Sequence, residues 1–197
     1  MKRLLLITTT ALLLSVGTTR ADQLEEALAA NARFEYPKAL RMLRSLADQG
    51  NAKAQYNLGL MYRDGQGIAQ NYAEAAELFR LAAEQGDAQA QSILGSMYGT
   101  GQGVRQKYSE AVKWYRLAAA QGDTNAQFNL GVMYANGQGV SKGYGRAYMW
   151  FSLAAVSGDA DAATNRDTVA RQMTARQIAE AQEMASDCQQ RKFKECD

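Results

Sequence analysis

The chain repeats itself every 36 residues, and this period limits what it can fold into more than any other feature. The same point in successive copies is marked by a glycine followed by Asn or Asp: Gly50-Asn51, Gly86-Asp87, Gly122-Asp123 and Gly158-Asp159. Three copies also share apolar and glycine positions, including Leu58/Leu94/Leu130, Gly59/Gly95/Gly131 and Tyr72/Tyr108/Tyr144. A fixed period of ~20 to 50 residues predicts a solenoid, because each unit buries its apolar face only against its neighbours.

Each copy carries the signals of two helices, as residues 86–122 illustrate. Gly86 can end one helix in the left-handed conformation, and Asp87 can cap the next helix by accepting from its free N–H groups. The apolar residues that follow have the spacing of an amphipathic helix: Ala90, Ile93, Leu94 and Met97. The glycine-rich stretch 99–104 predicts a loop, and a second helix is expected over about 107–121.

Glycine inside the first helix of a repeat needs a steric reason. Gly costs up to ~1 kcal/mol relative to Ala in a helix, yet Gly95 recurs at the equivalent position of two other copies. We expect it to allow close approach of the second helix through Ala118-Ala119. Trp114 and Trp150 share a column that is apolar in every copy, which predicts core positions rather than ligand-stacking groups.

The ends of the array lack the glycine loop, as capping units should. The expected division is a signal peptide at 1–21, a capping helix pair at 22–49, three repeats at 50–85, 86–121 and 122–157, and capping helices with a cysteine pair at 158–197. The predicted fold is all-α, with ten helices in about five antiparallel pairs and no strand.

The first 21 residues have the pattern of a cleaved secretory signal. Lys2 and Arg3 precede an apolar run from Leu4 to Val16, and small residues follow at the positions that a signal peptidase reads. The run is shorter than the ~20 apolar residues of a transmembrane helix. A periplasmic or secreted protein of a Gram-negative bacterium is therefore expected, without membrane insertion after signal cleavage.

The charge balance disfavours polyanionic partners. The full chain has 22 positive and 20 negative side chains, and removal of residues 1–21 leaves 19 positive and 20 negative. A nearly neutral chain of mixed sign produces no large basic field, so nucleic acid is not expected to bind.

Both cysteines, Cys188 and Cys196, lie in the last ten residues. In an exported protein such a pair most often forms a disulfide, which here would fix the tail to the last helix. A redox or metal site is the alternative, but the chain has no His and the spacing is not that of a zinc site.

The composition argues against an enzyme. Without His, neither a Ser-His-Asp nor a Cys-His arrangement is possible, and the Ser-x-x-Lys and Lys-Thr-Gly strings of serine β-lactamases are missing. Paired carboxylates such as Glu74 with Glu77, or Glu25 with Glu26, fall on predicted solvated helix faces. The Gly-x-Gly loops lack the strand and the Gly-Lys-Ser/Thr of a phosphate site. No catalytic residue, cofactor or metal is therefore expected.

The repeat is similar to a known helical unit. The pattern Ala-Gln-x-x-Leu-Gly-x-Met-Tyr-x-x-Gly-x-Gly at 54–67, followed by Tyr72, Ala75, Ala82-Ala83 and Gly86-Asp87, resembles the Sel1-like repeat, a relative of the tetratricopeptide repeat with a longer loop. The resemblance implies a right-handed α-solenoid and a role as an adaptor between proteins. Some cysteine-rich members have been called β-lactamases, but they carry a disulfide in every repeat, and this chain has no cysteine within its repeats.

The same resemblance implies a concave face lined by the first helix of each repeat. The candidate partner-binding residues on that face are Lys53, Tyr56, Leu60, Arg63, Gln89, Ser92, Ser96, Asn125, Phe128, Val132 and Asn136. These columns vary among repeats whereas the packing columns do not. Tyr56 and Phe128 could anchor a partner, or could pack against the adjacent helix.

The expected partner is another envelope protein or a peptide segment. A cell-wall or carbohydrate binder is the alternative, and a β-lactamase-like hydrolase is less favoured.

Overall fold

The computed structural model describes residues 19–194 and 196, and within them it contains ten helices and no strand. The helices are α1 (Arg20–Ala32), α2 (Tyr36–Asp48), α3 (Ala52–Asp64), α4 (Tyr72–Glu84), α5 (Ala88–Thr100), α6 (Tyr108–Ala119), α7 (Thr124–Asn136), α8 (Tyr144–Val156), α9 (Ala160–Ala170) and α10 (Ala175–Gln190). Consecutive helices pack as hairpins from α1 to α8, and the second helix of each pair also packs against the first helix of the next. The predicted α-solenoid is confirmed. The last two helices differ from the inner pairs, because α9 and α10 both pack chiefly against α8.

The predicted signal peptide lies outside the described residues except at its last three positions. Thr19 caps α1 in a capping box with Asp22: the Asp22 N–H donates to Thr19 Oγ1 at 3.2 Å, and the Thr19 N–H donates to Asp22 Oδ2 at 2.8 Å. As a result α1 begins at Arg20, two residues ahead of the capping pair expected at 22–49. Within residues 19–194, no helix is long and apolar enough to cross a membrane.

A glycine and an Asn or Asp join successive repeats, as predicted. Gly86 has φ 93°, and the Asp87 N–H donates to the carbonyl oxygen of Ala82 at 3.1 Å, which ends α4. Asp87 Oδ1 then accepts from the Ala90 N–H at 2.8 Å and caps α5. Equivalent caps are formed by Asn51, Asp123 and Asp159.

Glutamine side chains add a second link at two of the joins. Gln91 Nε2 donates to the carbonyl oxygen of Ala83 at 3.0 Å, and Gln91 Oε1 accepts from Gln121 Nε2 at 2.9 Å. Gln55 makes the equivalent pair of bonds one repeat earlier. Gln127 is the third residue of this column and is fully buried, but neither its Oε1 nor its Nε2 has a hydrogen-bond partner. The position equivalent to Gln121 is Ser157, whose hydroxyl donates instead to the carbonyl oxygen of Leu153.

The glycine loops pack one repeat onto the one before it. A Cβ at Gly103 would lie 2.1 Å from the carbonyl oxygen of Tyr72, so only glycine allows the α5–α6 loop to contact the start of α4. At the equivalent junctions Gly67 meets the side chain of Tyr36, and Gly139 meets the backbone of Tyr108. The predicted start of this loop was two residues early, because α5 continues through Gly99 and Thr100 and ends at Gly101, where φ is 80°.

The glycine inside each first helix lies under an aromatic ring. A Cβ at Gly95 would lie 2.8 Å from ring atoms of Tyr115, one at Gly59 would lie 2.9 Å from the ring of Phe79, and one at Gly131 would lie 2.5 Å from the ring of Phe151. The expectation of close helix approach is right, but its partner is the ring of the second helix rather than Ala118-Ala119. Trp114 and Trp150 are buried, which confirms that they are core residues.

The C-terminal tail is attached to the array at two points. Cys188 and Cys196 form the predicted disulfide, with their Cα atoms 5.1 Å apart. Beyond α10 the backbone takes left-handed φ values of 53° at Lys192 and 64° at Phe193. Ring atoms of Phe193 come within 3.5 Å of the place a Cβ would occupy at Gly122, so the tail returns to the junction between α6 and α7.

Candidate binding surface

The structure places the eleven candidate residues on α3, α5 and α7, the first helices of the three full repeats. Five of them are exposed: Lys53, Gln89, Ser96, Asn125 and Asn136. Five are half-buried: Tyr56, Leu60, Arg63, Phe128 and Val132. The remaining residue, Ser92, is buried with 8% of its surface exposed.

Ser92 joins two repeats rather than facing outward. Its Oγ donates to Asp123 Oδ1 at 2.9 Å, and the same oxygen accepts from the Ala126 N–H at 2.7 Å. Ser92 on α5 therefore supports the N-terminal cap of α7. Because a buried hydroxyl with an internal partner is a poor contact for another molecule, we remove Ser92 from the candidate surface.

Tyr56 and Phe128 each pack one side of the ring against the core. The Tyr56 ring centroid is 5.9 Å from that of Phe79, and the Phe128 centroid is 5.7 Å from that of Phe151. Both pairs are tilted, an arrangement that aromatic rings favour. The alternative that these rings pack against the adjacent helix is therefore correct, although each also keeps an accessible part.

The middle repeat differs from its neighbours in one systematic way. Ser92 replaces the aromatic residue of the flanking repeats, Tyr56 or Phe128. Ser96 replaces their aliphatic residue, Leu60 or Val132. On the second helix, Tyr115 replaces Phe79 or Phe151. Burial raises the pKa of Tyr115 to about 12, and the Ser96 side chain has the opposite effect on this phenol. The sequence analysis missed Tyr115, although comparison of the copies at this column could have found it.

Carboxylates surround the accessible part of Tyr56. The pKa of Tyr56 is raised first by burial and next by the charge of Asp87, with Asp123 and Asp64 acting in the same direction. Arg63 has the opposite effect on the phenol but is paired with Asp64 at 2.6 Å. The negative potential at the phenol therefore comes from the N-terminal caps of α5 and α7, Asp87 and Asp123.

A cavity of about 850 Å³ lies elsewhere, at the loop edge of the middle repeat. It is lined by Tyr98, Val104, Arg105, Gln106, Lys107 and Glu110, none of which belongs to the candidate surface. Shape alone would favour this cavity over the first helices. Its charged groups are already paired in part, because Lys107 Nζ lies 3.1 Å from Glu110 Oε1. The cavity is therefore a separate feature of the loop edge, distinct from the face formed by the first helices.

One carboxylate of each pair noted in the sequence forms an ion pair at the surface. Glu77 pairs with Arg80, and Glu26 Oε1 lies 2.6 Å from Lys38 Nζ. All four side chains of the two noted pairs are exposed. No group of His, Cys, Asp and Glu that could hold a metal ion is found in the part of the chain that the structure describes.

Stacked helix hairpins, with an invariant core and a variable outer face on the first helices, define an α-solenoid repeat protein. The family model of the Sel1 repeat matches residues 35–51, 52–87, 88–123 and 124–159. The chain therefore belongs to the Sel1 repeat family, whose members are generally non-enzymatic scaffolds that mediate interactions between proteins.

Solved structures agree with this assignment. A Sel1 repeat protein from Oxalobacter formigenes is 35% identical, with a TM-score of 0.66, over 73% of this chain and 61% of that one. The protein c5321, described as a protective antigen present in uropathogenic Escherichia coli strains displaying an SLR fold, is 27% identical, with a TM-score of 0.63, over 90% of this chain and 47% of its own. The chain thus spans less than two thirds of either relative. A comparison with curated proteins gave no match.

Proposed function

We propose that this protein is a non-enzymatic scaffold that binds a peptide segment or a protein surface along the first helices of its three full repeats. One observation carries the proposal. Packing positions such as Leu58, Leu94 and Leu130 are identical and buried in every copy, whereas the outward columns of the same helices differ in size and polarity. Positions free of a packing role can diverge to recognise different parts of one partner.

The proposed location is the bacterial cell envelope, as a periplasmic or secreted protein. The disulfide between Cys188 and Cys196 supports it, because such bonds persist mainly in oxidising compartments. The signal-like pattern of the first 21 residues is the second support. N-terminal sequencing of the protein from the envelope fraction would test this, and an intact first residue or a cytoplasmic location would contradict it.

Site-specific photo-crosslinking in the native cells tests the binding face. A photoreactive residue at Ser96, which is exposed on α5, is expected to capture a specific protein. The matched control carries the same group at Leu117, which is 44% exposed on α6 outside the candidate surface. A Trp at Gln89 together with the probe at Ser96 should remove the adduct, while helical content stays unchanged.

Each result has a distinct meaning. Equal capture from Ser96 and Leu117 would contradict the proposed face. Retention on cell-wall sacculi without any protein adduct would favour a cell-wall binder instead. Turnover of a chromogenic β-lactam by the purified protein would contradict a non-enzymatic role.

A further inference from the structure

We infer that the middle of the candidate surface accepts an arginine or lysine side chain of the bound partner, between the rings of Tyr56 and Phe128 and beside the carboxylates of Asp87 and Asp123. This inference rests on the proposed function and narrows it to partners that present a basic residue.

The first argument is the local loss of bulk. In the flanking repeats the outward positions of the first helix carry Tyr56 with Leu60, and Phe128 with Val132. In the middle repeat both positions are serine, and Ser96 is exposed. The middle repeat thus presents a small hydroxyl between larger side chains.

The second argument is the supply of unused acceptors. Asp87 Oδ1 accepts from the Ala90 N–H, and Asp123 Oδ1 accepts from Ser92 Oγ and the Ala126 N–H. Among the described residues these are the hydrogen bonds of the two carboxylates, so Oδ2 of each is available to an external donor. An arginine fork or a lysine ammonium supplies donors for such oxygens.

The third argument is the balance of charge. Each cap carboxylate lies at a helix N-terminus, whose partial positive charge of roughly half a unit offsets it only in part. Two cations of the candidate surface belong to α3. Arg63 is paired with Asp64, and Lys53 lies in the first turn of the helix. The remaining potential is negative where Asp87 and Asp123 act together on Tyr56. A basic side chain fits this field, and a carboxylate of the partner would be repelled.

Aromatic rings on both sides complete the fit. The aliphatic stem of arginine or lysine can contact the exposed parts of Tyr56 and Phe128, and its cation is attracted to the ring faces. The flanking rings are fixed by Phe79 and Phe151, so they do not need to be ordered when the partner binds.

Selection of random peptides of about twelve residues, displayed on phage, against the purified protein tests the inference. We expect the enriched sequences to share an Arg or Lys, and its replacement by Gln to weaken binding about tenfold. Asp87→Asn and Asp123→Asn should each weaken the same peptide about fivefold. Asn is as good a helix cap as Asp, and Asn51 caps α3 at the equivalent position. Asp159→Asn, which changes the same cap outside the surface, is the control and should have no effect.

A Ser96→Trp variant separates this inference from the function it rests on. If the enriched peptides lack a basic residue and bind Ser96→Trp more weakly than the wild type, the inference is overturned and the proposed binding face stands. The same conclusion follows if Asp159→Asn weakens binding as much as Asp87→Asn and Asp123→Asn do. Peptides unaffected by Ser96→Trp, or a selection that yields none, would contradict both proposals.

Discussion

Gly131 and Gly145 lie in the two helices of one hairpin, yet a methyl group would meet opposite surroundings at the two positions. A Cβ at Gly131 would lie 2.5 Å from Cδ1 of Phe151, a buried ring, whereas at Gly145 nothing lies within 4 Å. We expect Gly131→Ala to lower the free energy of unfolding by ~1–3 kcal/mol, because overpacking outweighs the gain in helix propensity. Gly145→Ala should raise it by up to ~1 kcal/mol.

Urea unfolding followed by circular dichroism measures both changes. If Gly131→Ala stabilised the protein as much as Gly145→Ala, the contact between the glycine and the ring would not constrain the fold. The 36-residue period made the close approach predictable at this column. The period could not identify which residue of the second helix faces the glycine. The alanine pair at Ala118-Ala119 and the aromatic residue at Tyr115 both have equivalents in the other repeats, and only their three-dimensional placement distinguishes them.

The raised pKa of Tyr115 predicts that the free energy of unfolding depends on pH. Its pKa is about 12 in the folded chain, against an ordinary value of 10.0. Below pH about 10 the phenol is protonated in both the folded and the unfolded chain, so its contribution to the stability of the fold is fully present. Above that pH the unfolded chain loses the proton first, and the free energy of unfolding falls until pH about 12. Relative to Tyr115→Phe, the wild type should lose about 1 kcal/mol between pH about 9 and pH about 11.

Phenylalanine is a suitable replacement because Phe79 and Phe151 occupy the equivalent positions. Chemical denaturation at a series of pH values measures the difference between the two proteins. If the free energies of unfolding of the wild type and Tyr115→Phe differ by a constant amount across this pH range, Tyr115 has an ordinary pKa.

At the scale of elements, the glutamine column makes a prediction about two chemically identical changes. Gln91→Leu removes two hydrogen bonds, one to the Ala83 carbonyl oxygen and one from Gln121, and should cost ~1–3 kcal/mol at about 0.5–1.5 kcal/mol each. Gln127→Leu removes a buried amide that has no partner and should be neutral or stabilising. Thermal unfolding of the two variants measures the contrast, and equal destabilisation by both would contradict it.

Helix number and order were predictable from the repeat, but some boundaries and the last packing contacts were not. Helix α5 continues through Gly99 because Thr100 Oγ1 donates to the Ser96 carbonyl oxygen at 2.9 Å and Gly101 provides the left-handed end. The packing of α10 against α8 depends on residues outside the period, for example Gln182, whose Nε2 donates to the Tyr148 hydroxyl at 3.3 Å. Of the candidate surface, Ser92 was misplaced because its hydrogen bond to Asp123 crosses between repeats.

At the scale of the whole molecule, the disulfide should stabilise one end of the array. Closing a short loop of this kind contributes about 2–3 kcal/mol in chain-entropy terms. The double variant Cys188→Ser, Cys196→Ser should therefore have a lower midpoint of thermal unfolding and unchanged helical content. Because neighbouring repeats carry most of the coupling in a solenoid, hydrogen exchange should increase in α9 and α10 more than in α3. An unchanged midpoint in oxidised and reduced protein would contradict this.

The contacts between glycine loops and tyrosines also set a distance. Gly67 lies against Tyr36, Gly103 against Tyr72 and Gly139 against Tyr108, so equivalent residues meet at three successive junctions. Because the contact recurs, we expect successive repeats to be related by similar rotations and translations. On the proposed binding face, equivalent side chains would then be presented at a nearly constant interval that the scaffold sets before a partner binds.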